Sequence, residues 1–402
     1  VLLAWLLPLA CAAAPAAAAA DEDDGIAQRA VAASEAPAVA SAPSAPAAPE
    51  ASAPAASAAA SAAPARPVPV PVRAPKARGR LQARDLGLVI NTADPYSVQV
   101  GEFYAKARGL GPDQVLRVSL PAKPVLTPEE FETLSARIQA RFAGADRPVQ
   151  ALALAWNQPY AVGCNSLTGA LAFGYDAGLC RNTCAAGRWS RYFNSASGRP
   201  WNDHTLRPSM LIAAGSVDAA KALIERGVAA DASLGRRGAP DVHAHYVTTS
   251  DAHRSVRSVL FPLAGRLPGF GVQVHVQRSE ALRSAERVLL YMTGAAHVPH
   301  LDSIDFVPGA LADHLTSFGG LLDDSRGQMS AMVWLQAGAT ASYGTVSEPC
   351  NHLQKFPHPQ LLLLHYLQGS TALEAYWKSV AWPQQGVFIG EPLAAPFARP
   401  TP

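Results

Sequence analysis

His297, His300 and His314 stand close together in the chain with Ser317, and Cys350 follows further on. An imidazole titrates near neutral pH, so it can take the proton of a hydroxyl or thiol and leave a nucleophile. Ser317 belongs to a polar, glycine-containing stretch, Ala312 to Gly320, whose small residues would let a backbone approach a ligand. Cys350 ends a second such stretch, Gly338 to Cys350, which also carries Ser347 and Glu348. Against these catalytic readings stand plain structural ones: a histidine hydrogen-bonded in place, and a tight turn with Cys350 in a disulfide. All eleven histidines lie between positions 204 and 365. His243 and His245 alternate along a strand-like run and so share a face, which reads as partly exposed strand residues rather than metal ligands. Beyond a cysteine at position 11 the chain holds Cys164, Cys180, Cys184 and Cys350. An even set of four in an exported chain implies up to two disulfides with three possible connectivities. Cys180 and Cys184 sit in a loop-like stretch that suits a surface staple, and no histidine follows at zinc-ligand spacing, so neither a metal nor a cofactor is expected. Asn91-Thr92-Ala93-Asp94 lacks the glycines of a dinucleotide or phosphate loop, and no Gly-x-Ser-x-Gly, His-Glu-x-x-His or Walker sequence occurs.

The elements that must position these groups alternate between strand and helix signals. Leu86–Asn91, Val115–Leu120 and Val149–Trp156 read as strands, the last apolar enough for burial on both faces. Asp94-Pro95 opens one helix, and Thr127-Pro128-Glu129-Glu130 is a capping box opening a second that runs to about Arg141. After an aromatic, glycine- and asparagine-rich stretch at 157–207, read as a functional loop or lid, the rhythm resumes. A helix is expected at Val217–Ala230, with strands at Val242–Thr249, Arg287–Met292 and Ile304–Pro308. Then come a helix at Met329–Gln336, a strand at Thr340–Val346, a helix near Thr371–Ser379 and a strand at Val387–Ile389. This order implies an α/β fold with a mainly parallel sheet and flanking helices in one domain over 85–400. In such a sheet, groups just beyond the strand carboxyl ends converge on a ligand crevice, which is where His297, His300 and His314 would gather.

The first eighty residues differ in composition. Residues 1–20 are apolar and then small, and end abruptly at Asp21-Glu22-Asp23-Asp24, the layout of a signal peptide. Pro8-Leu9-Ala10-Cys11 also has the outline of a lipobox, so lipid attachment at Cys11 is a minor alternative. Residues 21–84 form an Ala/Pro/Ser-rich linker expected to stay disordered. No later run is long and apolar enough to span a membrane once the signal is removed. Of 402 residues, 33 are basic and 31 acidic, a net charge of +2 that argues against a dedicated nucleic-acid binder.

The strings DHLTSFGG, AGATASYGTVSEP, KFPHP, EAYWKSV and IGEPLAAPF resemble an uncharacterised family of exported bacterial proteins found with the exosortase/PEP-CTERM sorting system, over about 86–397. A more distant resemblance is to gingipain- and caspase-like cysteine peptidases. Their pattern sets His-Gly after one core strand and Ala-Cys after the next. Val288–Gly294 matches the first strand, with His297 or His300 displaced from the expected site, and Thr316-Ser317 falls where the cysteine is expected. The closing Ile389 to Leu393 is similar to the Gly-Asp-Pro ending of gingipain-like chains. The resemblance implies a caspase/gingipain-like three-layer sandwich in which neither pair is intact.

Three functions follow as expectations. The first is an exported, periplasmic or extracellular protein of cell-envelope, exopolysaccharide or protein-sorting systems, with a peptidase-like core lacking the dyad. The second is a hydrolase pairing His314 or His297 with Ser317 or Cys350. The third is a glycan- or peptide-binding module using the 157–207 aromatics, Trp189 and Trp201 among them. An envelope protein or a glycan is the partner these readings suggest.

Overall fold

The computed structural model describes residues 71–144, 149–323 and 326–399. The expected signal peptide and most of the expected linker lie outside the described residues. Local sequence sets the first elements. Strand β1 (Leu86–Asn91) leads to Asp94, whose carboxylate accepts the Tyr96 amide at 2.9 Å and caps α1 (Pro95–Arg108). The helix ends at Gly109, at φ 65°, a left-handed position glycine adopts without strain. After β2 (Val115–Val118) and β3 (Val125–Leu126), the Thr127 box closes as the sequence implies: Thr127 donates its amide to Glu130 Oε2 at 2.7 Å and accepts the Glu130 amide at 3.3 Å. It opens α2 (Pro128–Phe142), which precedes β4 (Ala151–Leu154). On β1, Leu88 and Ile90 pack with Val100 and Tyr104 of α1, whereas Val89 packs with Phe131, Leu134 and Ile138 of α2. Alternate residues of one strand thus bury against helices on opposite faces, and three layers result.

The 157–207 stretch is not one irregular loop. It holds β5 (Ala161–Val162), β6 (Asn165–Ser166), α3 (Leu167–Phe173), α4 (Ala177–Arg181) and α5 (Pro200–His204), and β3, β5 and β6 form a small sheet of their own. Then follow β7 (Ser209–Leu211), α6 (Val217–Ala230), β8 (Val242–Thr248), β9 (Gly265–Leu267), β10 (Val272–Arg278) and β11 (Val288–Gly294). The chain closes with β12 (Phe306–Leu315), α7 (Met332–Gln336), β13 (Ala341–Thr345), α8 (Pro359–Leu367), α9 (Ala372–Ser379) and β14 (Gly386–Gly390). Strand β12 is longer than the sequence suggests. It extends through Leu315, so Ala312, Asp313 and His314 are core strand residues rather than a ligand-binding loop.

The main sheet has eleven strands in the order β2-β1-β4-β7-β14-β13-β12-β11-β8-β10-β9. Pairing is parallel from β2 to β14 and again from β13 to β10, but β13 and β14 are antiparallel, as is the edge pair β10–β9. The sheet is therefore mainly parallel, as expected, but built from two halves that run in opposite directions. Strand carboxyl ends emerge at opposite edges in the two halves, and each half has its own crevice edge.

Two buried charge clusters join the layers. Glu391, directly after β14, accepts Arg108 Nε at 2.9 Å and Nη2 at 2.6 Å, and the Tyr104 hydroxyl at 2.9 Å. Gly227 in α6 makes room for it, since a Cβ there would lie 2.4 Å from Glu391 Cγ. In the other half, Asp313 of β12 meets Arg257 at 2.5 Å, with both side chains almost wholly buried. Arg257 also donates to the Thr293 carbonyl at 2.9 Å. Burial pushes the Asp313 carboxyl up, and the Arg257 charge opposes this. Removing one partner of such a pair leaves an uncompensated buried charge. Asp313→Ala is expected to cost about 3–5 kcal/mol of unfolding free energy. In denaturant titration, Asp313→Ala combined with Arg257→Met should recover a large part of that loss.

Candidate functional site

The crevice edge that the sequence points to is the carboxyl edge of the β13–β10 half. Strands β11 and β12 pair there through Gly294 and Leu315, so the segments carrying His297 and Ser317 leave neighbouring strand ends. His297 is exposed. The carbonyl of Ala296 beside it accepts the Met329 amide at 2.8 Å, which ties this loop to the segment following β12. Ser317 is half-buried, and its carbonyl accepts Thr345 Oγ1 at 2.9 Å from the end of β13.

His314 belongs to the same edge but not to the crevice. It is 2% exposed, and its Nδ1 accepts the Trp334 indole N–H at 2.9 Å. An indole can only donate, so Nδ1 is unprotonated and the proton sits on Nε2, 3.0 Å from the Met329 carbonyl that accepts it. Burial pushes this imidazole down to about 3; the Met329 bond opposes the shift, and the charges of Arg257, His297 and Arg254 favour it. With both nitrogens committed, His314 has no lone pair for a substrate proton and serves as a core hydrogen-bonding residue.

His300 is at the other end of β11. The Ser303 hydroxyl donates to the His300 carbonyl at 2.7 Å and accepts the Ser284 amide at 3.1 Å, and Ser284 lies just before β11 begins. The crossover from β11 to β12 runs back along the strand, so His297 and His300 part company within three residues. Cys350 is bonded to Cys184, and Cys164 to Cys180. A sulfur in a disulfide is not a thiolate, which removes Cys350 as a nucleophile in the oxidised chain. Among the described residues, no hydrogen bond joins any of the three histidines to Ser317.

Sequence reasoning overlooked the groups that do converge here. Arg254 donates from Nε to Thr316 Oγ1 at 3.1 Å and from Nη1 to Asp251 at 2.7 Å. Thr316 in turn donates to Gln328 Oε1, which also accepts the Phe318 amide at 3.2 Å. Gly294 permits this approach, because a Cβ there would lie 1.9 Å from the Arg254 carbonyl oxygen. The available signal was Asp251 and Arg254 three residues apart directly after a strand. The edge thus presents a guanidinium, hydroxyls and backbone amides.

Elsewhere, His243 Nδ1 lies 3.0 Å from His275 Nε2, and His245 stacks on His275 with ring centroids 4.6 Å apart. Stacked rings aim their lone pairs along parallel lines rather than at one point. No group of three or more His, Cys, Asp or Glu among the described residues is arranged to hold a metal ion. Trp189 is 59% exposed and meets Phe193 edge-to-face at 5.2 Å, whereas Trp201 is covered on one side by Arg207 at 3.7 Å.

The sheet and its crevice edge define a three-layer α/β protein with a mainly parallel sheet. No protein-family model matches the chain, and no curated protein does. Among solved structures, the chain is similar to the Arg-specific cysteine proteinase gingipain R, at 10% identity over 78% of each chain with a TM-score of 0.42. At that distance the description of the fold rests on the strand order itself.

Three buried imidazoles, His245, His314 and His365, and the half-buried His358 make stability depend on pH. Burial is the largest cause in each, and holds His245 and His358 down to about 4 and His314 and His365 down to about 3. The ordinary value in the unfolded chain is about 6.5. Between these values the unfolded chain binds more protons, so stability rises with pH in that window and levels off above it. At pH 5 these side chains should take up about three to four protons on unfolding, read from the pH dependence of the unfolding free energy. Native-state NMR should show no titration of His314 between about pH 5 and 8.

Proposed function

We propose that the chain is an exported protein of the cell envelope, linked to exopolysaccharide or protein sorting, whose peptidase-like core works without thiol chemistry. The observation that carries this reading is that all four cysteines among the described residues are paired, Cys164 with Cys180 and Cys184 with Cys350. Disulfides persist in oxidising compartments, which supports export. Both bridges hold the 157–207 segment, one internally and one to the loop after β13. Further bonds secure it: Ser347 Oγ donates to the Cys164 carbonyl at 2.7 Å and Lys355 Nζ to the Thr183 carbonyl at 2.6 Å. On this reading the segment is a fixed wall of a binding surface, and the protein recognises a partner rather than cleaving it. No helix among the described residues is long and apolar enough to cross a membrane, which leaves the reading intact.

A second reading, a hydrolase using His297 with Ser317, is favoured by the departure of these two residues from adjacent strand ends. The readings separate cleanly in the laboratory. Thiol titration of the unfolded mature protein should find none of the four sulfurs free before reduction and all four after it. A thiol at Cys350 that reacts in the folded, unreduced protein would sink the first reading. Labelling by a fluorophosphonate probe that disappears in Ser317→Ala would establish the second. Replacing Cys184 and Cys350 together by serine should lower stability by about 2–4 kcal/mol, measured by chemical unfolding.

A further inference from the structure

A groove of about 1020 Å³ lies where the chain enters the fold, beside the amino ends of β1 and β4. Arg78, Arg80 and Arg84 line it from the entering segment, and Arg199 lines it from the approach to α5. Close backbone contact fixes the two sides. Arg78 donates its amide to the Ala196 carbonyl at 2.8 Å, and a Cβ on Gly198 would lie 2.8 Å from the Arg80 nitrogen. Only a glycine at 198 lets the two segments of the wall cross so tightly, and the crossing sets Arg199 against the entering arginines.

None of these four guanidinium groups has a hydrogen bond or an ion pair among the described residues. That contrasts with Arg108, Arg207, Arg254 and Arg257, each of which donates to protein acceptors. Two carboxylates also line the groove. Asp113 is paired with Arg141 at 3.5 Å, and Asp85 accepts the Gln82 amide at 2.9 Å. Burial raises the Asp85 carboxyl, with Arg84 and Arg199 close enough to oppose the shift. The groove is therefore positive in balance, within a chain whose net charge is only +2.

We propose that this groove binds a carboxylate-bearing oligosaccharide. A guanidinium fork matches a carboxylate through two parallel hydrogen bonds, and four unpartnered forks along one groove suit a ligand with repeated carboxylates. The half-buried Asp85 and the exposed Asp113 would repel a densely charged phosphate chain, whereas their oxygens can accept sugar hydroxyls. The volume exceeds that of a single-sugar site and accommodates several linked sugars. Arg199 belongs to the 157–207 segment, but the inference uses none of the cysteines of the thiol-free reading and neither His297 nor Ser317 of the hydrolase reading, so it stands or falls separately from them.

Calorimetric titration of the full mature chain with a galacturonic acid oligomer of about six sugars tests it. The acidic oligomer should bind, and its fully methyl-esterified counterpart should not. Affinity should fall as salt rises. Arg80→Gln and Arg199→Gln should each weaken binding about tenfold, with thermal unfolding unchanged because both side chains lack protein partners. Absence of binding at low salt would overturn the proposal. So would equal affinity for the esterified oligomer, tighter binding of inorganic polyphosphate, or unaltered affinity in the doubly substituted protein.

Discussion

The antiparallel pairing of β13 with β14 is the constraint on which the rest of the architecture depends. Register runs from Ala341 opposite Gly390 to Thr345 opposite Gly386, and on either side of this seam every neighbouring pair is parallel except the edge pair β10–β9. The seam is made possible by small residues. A Cβ on Gly344 would lie 2.3 Å from the Gly319 backbone, and one on Gly390 would lie 2.4 Å from the Thr340 carbonyl. Because the two halves run in opposite directions, the carboxyl ends of β11, β12 and β13 share an edge with the amino ends of β14, β7 and β4. A ligand crevice in one half and a groove beside the incoming chain of the other therefore fall on the same edge of the sheet.

Polar groups inside the fold are used for positioning more than for chemistry. Glu374 accepts the Leu81 and Thr371 amides at 3.1 and 2.9 Å and the Tyr192 hydroxyl at 3.2 Å, joining the entering segment, the 157–207 segment and α9. His314 satisfies Trp334 and Met329 in the same manner, and Arg257 and Asp313 offset each other's burial. Each arrangement is costly to break from one side, since a buried donor or charge is then left without a partner. Among the described residues, the edge beyond β11 and β12 carries an exposed imidazole, a half-buried serine and the Arg254 network.

Much of the scaffold was legible in the chain. Leu86–Asn91 and Val217–Ala230 occur as read, and the Asp94 and Thr127 caps start their helices where the sequence places them, because capping and apolar periodicity are local properties. Short strands escaped notice. Ser209–Leu211 has three residues, too few for a period, and is a strand only because β4 and β14 flank it. The candidate site was legible only in part. Ser317 and His297 leave neighbouring strands as expected, but His300 and His314 do not join them.

By itself the sequence determined many of the element types, the apolar-then-acidic composition of residues 1–24, the mainly parallel α/β class and the even cysteine set, because composition, capping and alternation act over a few residues. Tertiary structure alone decided that the sheet reverses at β13–β14, that Cys350 meets Cys184 across 166 positions, and that Asp313 faces Arg257. It also decided that His314 is enclosed and neutral while Arg78, Arg80, Arg84 and Arg199 line one groove. Partner choice among distant residues depends on which surfaces packing brings together, and neither burial nor the field around a charge is a property of local sequence.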